Sequence, residues 1–189
     1  MTALIFAASC SGGKADNLPY MDPSQDVEKR VTDLMKRMTL EEKIGQMNQC
    51  VGLNHIDESQ AGMTEEDLMR NTAQAFYPGF LKEDIAQLAR EGKIGSFLHS
   101  VNIGEANELQ ALAMESRLRI PLLMGIDAVH GCALVSGTTV YPTSIGMAST
   151  FDPELVYISS RQTAKEMRAI GMHWTFAPNV EVARDQRWG

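Results

Sequence analysis

Basic charge is scarce in this sequence: 17 Lys and Arg stand against 24 Asp and Glu, leaving a formal net charge of -7. A chain that neutralises phosphates needs a basic face, so nucleic acid is excluded as a main partner. Long apolar runs are also missing. None approaches the roughly 20 residues that span a bilayer, so the chain is not an integral membrane protein. Three cysteines in 189 residues make no disulfide framework. Cys50 and Cys132 read as ordinary buried thiols. With four scattered histidines, the cysteines give no metal-ligand spacing either, and no cofactor is implied.

Nucleotide and hydrolase signatures fail in the same way. The stretch S-C-S-G-G-K-A (residues 9–15) lacks the first glycine and final hydroxyl residue of a P-loop, and no strand precedes it. No G-x-G-x-x-G occurs, and T-S-I-G (residues 143–146) is not the G-x-S-x-G elbow of a serine hydrolase.

What is present suits a globular α/β chain, 44% apolar and 22% charged. Residues 1–19 read as a leader and linker. A short apolar stretch, Ala3 to Ala8, runs through small residues to Cys10 and a Ser/Gly tract. This resembles the tail of a bacterial lipoprotein signal, which makes Cys10 a candidate lipid anchor. The basic n-region of a signal is absent, and a disordered arm is the alternative. Residues 20–189 carry the fold.

Residues 22–49 predict two helices. Val27, Val31, Leu34 and Met38 form one apolar stripe, and Thr39 with Glu42 makes a capping box that starts the second helix at Leu40. Residues 52–80 have no clear period. A helix over 83–91 ends at Gly92, a strand follows over 93–100, a helix over 104–118, and a strand over 121–127. Asp152 caps a long helix with Pro153 at its first position; Val156, Ser160, Ala164 and Met167 line its expected inner face, and Gly171 stops it. A last strand is expected around 175–182, broken by Pro178. Strands that are nearly continuous apolar runs, alternating with helices, indicate a parallel sheet buried on both faces. A doubly wound sheet and a (β/α)8 barrel both satisfy that pattern. Polar residues gather where the strands end: His99, Asp127 and His130, Arg184 and Asp185. In barrels that rim holds the active site.

The run I-P-L-L-M-G-I-D-A-V-H-G (Ile120–Gly131) ends its apolar strand on Asp127. A carboxylate at the mouth of a buried strand is costly unless paired. Its two oxygens can accept from two neighbouring hydroxyls, at about 1.5–3 kcal/mol for each charge-assisted bond. A sugar with adjacent equatorial hydroxyls suits it, and Gly125 and Gly131 permit close approach. A structural Asp127, capping a turn or pairing with an arginine, fits equally. His130 also fits a packed, hydrogen-bonded residue. Arg184 and Arg187, flanking Asp185, also fit a structural ion cluster.

Five blocks in order carry a resemblance: R-V-T-D-L-M-K-R-M-T-L-E-E-K-I-G-Q-M, I-G-S-F-L, R-L-R-I-P-L-L-M-G-I-D-A-V-H-G, T-T-V-Y-P-T-S-I-G-M-A-S-T-F-D-P-E-L-V and E-M-R-A-I-G-M-H-W-T-F-A-P-N-V-E-V-A-R-D-Q-R-W-G. From about Tyr20 onward the chain resembles the N-terminal part of glycoside hydrolase family 3, of the β-glucosidase type. The resemblance implies an α/β fold, the N-terminal part of a (β/α)8 TIM-like barrel cut short. It also implies retaining hydrolysis of terminal β-D-glucosyl residues. Position by position, Asp127 and Arg184 match substrate-binding residues of the −1 subsite, while His130 and Arg187 match residues that support the site. Gln186 departs from the family's R-D-P-R-W-G. The family's nucleophile and acid/base lie beyond the last block, so neither is assignable here, and the 189 residues alone are expected to be inactive. A β-xylosidase of the same family, or a truncated non-catalytic sugar-binding protein, is the alternative; Asp where xylosidases tend to carry Glu favours the glucosidase. The expected partner is a β-linked oligosaccharide or glucoside. The expected location is periplasmic or outer-membrane-associated, with membrane contact only through a lipid on Cys10. The oligomeric state is left open.

Overall fold

The computed structural model describes residues 18–64, 80–179 and 184–185. Cys10 and Arg187 lie outside the described residues, as do residues 180–182 of the last expected strand.

The chain divides into two compact units, Met1–Thr39 and Leu40–Gly189. In the first, helix α1 (Val27–Arg37) is capped by Asp26, whose carboxylate accepts from the amides of Glu28 and Lys29. Arg37 makes a two-bond fork to Asp33 at i,i+4, and Arg30 donates to the Tyr20 carbonyl. The expected stripe exists, but Val27 and Val31 are exposed. One short helix offers too little surface to bury an apolar face within its own unit.

The second unit begins with α2 (Leu40–Gly45) and β1 (Gln49–Val51). Next come α3 (Leu53–Gln60), α4 (Lys82–Arg90), β2 (Ser96–Leu98), α5 (Ile103–Met114) and β3 (Leu123–Ile126). It closes with α6 (Ser144–Ala148), α7 (Pro153–Ala169) and β4 (Trp174–Thr175). The four strands are parallel and neighbour one another in chain order, β1-β2-β3-β4. Among the described strands there is no reversal of order of the kind that marks the switch point of a doubly wound sheet, an order consistent with part of a barrel. The core lies between strands and helices, with Ile56, Ala89, Phe97, Leu109, Met124 and Ile126 fully buried.

Three expectations are corrected. The second helix stops at Gly45 and Gln49 already belongs to β1, paired with Ser96, so the segment up to 49 is not all helix. Residues 53–60 are a helix, with only Leu53 and Ile56 buried; two inward residues are too few to show a period. On α7 the buried positions are Ser159, Thr163 and Met167, not the row Val156, Ser160 and Ala164. The hydroxyls of Ser159 and Thr163 donate to the Val156 and Ser159 carbonyls of their own helix, which satisfies them and lets polar residues face inward. The capped start of this helix is as expected: Asp152 accepts from the amides of Glu154 and Leu155, with Pro153 at the first position.

Candidate functional site

The C-terminal ends of β2 and β3 lie side by side because their register pairs Leu98 with Gly125. The next residues along each strand are therefore at one rim of the sheet. Asp127 follows β3 directly, its side chain 46% exposed, and its Oδ2 lies 3.0 Å from Nε2 of His99 just past β2. A carboxylate only accepts, so the imidazole is the donor. Among the described residues, neither a turn cap nor an arginine takes this carboxylate. Oδ1 makes no hydrogen bond among the described residues, and the group is half open to solvent.

The sequence places His99 among the polar residues at the strand ends, but nothing there assigns it a role at the site. The signal was present: a polar residue ends the run I-G-S-F-L, one position past the β2 core. Only the register between β2 and β3 brings it to Asp127.

Beyond Asp127 the chain folds back on itself. The Tyr141 amide donates to the His130 carbonyl at 2.8 Å, and Gly131 bridges antiparallel to Val140. Gly131 sits at φ +90, and a Cβ there would overlap the Thr139 carbonyl oxygen. At Gly125 a Cβ would come 2.9 Å from the Phe176 ring. Both glycines thus allow close approach of chain. Glu166 of α7 pins the returning strand through Thr139, accepting from its amide and its hydroxyl at 2.8 Å each.

His130 is half-buried. Its Nδ1 is buried without a hydrogen-bond partner among the described residues, as is Oγ1 of Thr175. Both residues line a groove of about 350 Å³ beneath α6 and α7, walled by Tyr141, Met147, Thr163 and Pro178. Arg184 is exposed, and no ion pair joins it to Asp127. The two free thiols, Cys50 and Cys132, are buried. Burial, and then the nearby Glu166, push the Cys132 thiol above its ordinary value, which makes it a poor nucleophile.

A half-exposed carboxylate held on one oxygen, at the rim where parallel strands end, can accept hydroxyls of a neutral polar ligand.

Residues 39–189 match the model of the glycosyl hydrolase family 3 N-terminal domain. A periplasmic β-glucosidase of Salmonella typhimurium is 35% identical over 161 residues, 84% of this chain and 17% of that protein. A lysosomal β-glucosidase of Dictyostelium discoideum is 30% identical over 159 residues, 84% of this chain and 19% of that protein. Among solved structures, an exo-1,3/1,4-β-glucanase of a Pseudoalteromonas species superimposes with a TM-score of 0.61 at 31% identity, covering 89% of this chain and 25% of that one. The chain therefore spans about a quarter or less of the length of these relatives. It belongs to glycosyl hydrolase family 3, and what it carries is the family's N-terminal domain.

Proposed function

We propose that the complete gene product hydrolyses terminal β-D-glucosyl residues from β-glucosides and short β-gluco-oligosaccharides, with retention of configuration. In this reading the four parallel strands are the first part of a (β/α)8 barrel, and the rim at Asp127 is one wall of the −1 subsite. The observation that carries it is the state of Asp127: a half-exposed carboxylate at a strand end, braced on Oδ2 by His99 and with Oδ1 unbonded among the described residues. Such a group accepts two adjacent equatorial hydroxyls of a gluco-configured sugar. Arg184 contributes to the same sugar, with His130 and Arg187 supporting the loop.

Retaining hydrolysis needs two carboxyls about 5–5.5 Å apart across the scissile bond. Asp127 is assigned to neither role, and the 189 residues alone are proposed to be inactive. The Salmonella relative is named as periplasmic, which supports an envelope location, with Cys10 as the lipid attachment point. Mass spectrometry of protein from its native host should show Cys10 acylated; an unmodified Cys10 removes the anchor.

The test of substrate class is kinetic. The purified complete gene product should turn over an aryl β-glucoside with a higher kcat/KM than an aryl β-xyloside. The opposite order makes it a β-xylosidase, and no turnover of either leaves a non-catalytic sugar-binding protein.

A further inference from the structure

We infer that His99 is a positioning residue for Asp127: its Nε2–H fixes one carboxylate oxygen so that the other, and the remaining lone pair, face the sugar. This rests on the proposed role of Asp127 and adds a residue to it.

Three observations converge. The first is the bond itself, 3.0 Å from Nε2 to Oδ2, between residues 28 apart in sequence. The second is the backbone. His99 has φ +57, a left-handed conformation uncommon for a residue with a Cβ. Such a conformation persists only where the surroundings over-determine it, and here it goes with a side chain that reaches Asp127 beyond the end of β3.

The third is how thoroughly those surroundings are tied. The His99 amide donates to the Gly125 carbonyl of β3 at 2.9 Å, two residues before Asp127. On one side of His99, Leu98 accepts from the Gly52 amide at the start of α3. On the other, Ser100 is fully buried and donates its hydroxyl to Oε2 of Glu105 at 3.0 Å. The same carboxylate takes the Asn54 amide on Oε1 at 2.8 Å, so α3 and α5 clamp the residue that follows His99. Residues 98, 99 and 100 are thus each tied to a different part of the unit. The imidazole at their centre makes its bond to the one carboxylate proposed to meet substrate. Without that bond a half-exposed carboxylate rotates freely and must be ordered each time a sugar binds.

The experiment is a double-mutant cycle in the complete gene product, read as kcat/KM on an aryl β-glucoside, with thermal unfolding recorded for each variant. His99→Ala should lose about tenfold, the size of one charge-assisted hydrogen bond. His99→Gln, whose amide can still donate to Oδ2, should recover to within about threefold of wild type. His99→Gly accepts the left-handed backbone and removes only the side chain, so it should fall as far as His99→Ala. It also serves if the alanine variant does not fold. Because His99 acts through Asp127, combining His99→Ala with Asp127→Ala should be within about twofold of Asp127→Ala alone. A His99→Gly variant with wild-type kinetics, while Asp127→Ala is crippled, overturns the inference and leaves the Asp127 reading standing. Losses that multiply in the double variant overturn it as well. Wild-type kinetics in Asp127→Ala overturn both.

Discussion

Glu166 accepts two hydrogen bonds from the single residue Thr139, one from its amide and one from its hydroxyl, each at 2.8 Å. These bonds fasten the segment after Gly131 to helix α7. They also hold the Glu166 carboxyl below its ordinary 4.5, the amide contributing most and the hydroxyl next. A carboxyl with a depressed folded-state pKa stabilises the folded form above its unfolded value, and that contribution is lost as pH falls through the folded value. The loop carrying His130 should therefore loosen below about pH 4.5. Hydrogen-exchange protection at Thr139 and Tyr141, corrected for intrinsic rate, should drop there. Glu166→Gln keeps one acceptor oxygen, so protection should be lower than in wild type at neutral pH and show no acid step. Protection unchanged from pH 6 to pH 3, as approximate endpoints for this titration, rules the pin out.

Gly131 and Gly137 have nearly the same backbone, φ +90 and φ +88, but different surroundings. A Cβ at Gly131 meets the Thr139 carbonyl, whereas at Gly137 nothing lies within 4 Å. Gly137→Ala should cost about 1 kcal/mol of unfolding free energy, from the left-handed backbone alone. Gly131→Ala adds overlap with a backbone atom and should cost about 2–5 kcal/mol. Denaturant midpoints of the two variants check this, and equal losses would refute it.

Glu105 is a carboxylate only 5% exposed, serving two donors from different elements. Glu105→Ala leaves the Asn54 amide and the buried Ser100 hydroxyl without their partner, and should destabilise by about 3 kcal/mol or more. Glu105→Gln keeps one acceptor oxygen and should cost about half as much. Urea unfolding that ranks the two variants in the reverse order would contradict this account of the clamp.

Much of this layout is legible in the residues. Asp152 followed by Pro153, and apolar runs at 96–98 and 123–126, announce helix α7, β2 and β3 because capping chemistry and dry strands leave plain local marks. β1 leaves almost none, being three residues long with Gln49 exposed. The inward turn of Ser159 and Thr163 is hidden because their hydroxyls are satisfied by their own helix, which composition does not reveal. Asp127 stands out as a charge ending an apolar run. Its partner does not, since His99 reaches it only through the register Leu98 with Gly125, a long-range fact.

The central claim is that Asp127 holds the sugar, and one kinetic comparison tests it most directly. In the complete gene product, Asp127→Ala removes a carboxylate accepting two hydroxyls, about 3 kcal/mol of transition-state stabilisation, or roughly a 100-fold fall in kcat/KM on an aryl β-glucoside. The folded state should survive, because the side chain is half exposed and its one bond among the described residues is to His99. A folded Asp127→Ala enzyme with near wild-type kcat/KM would contradict the account.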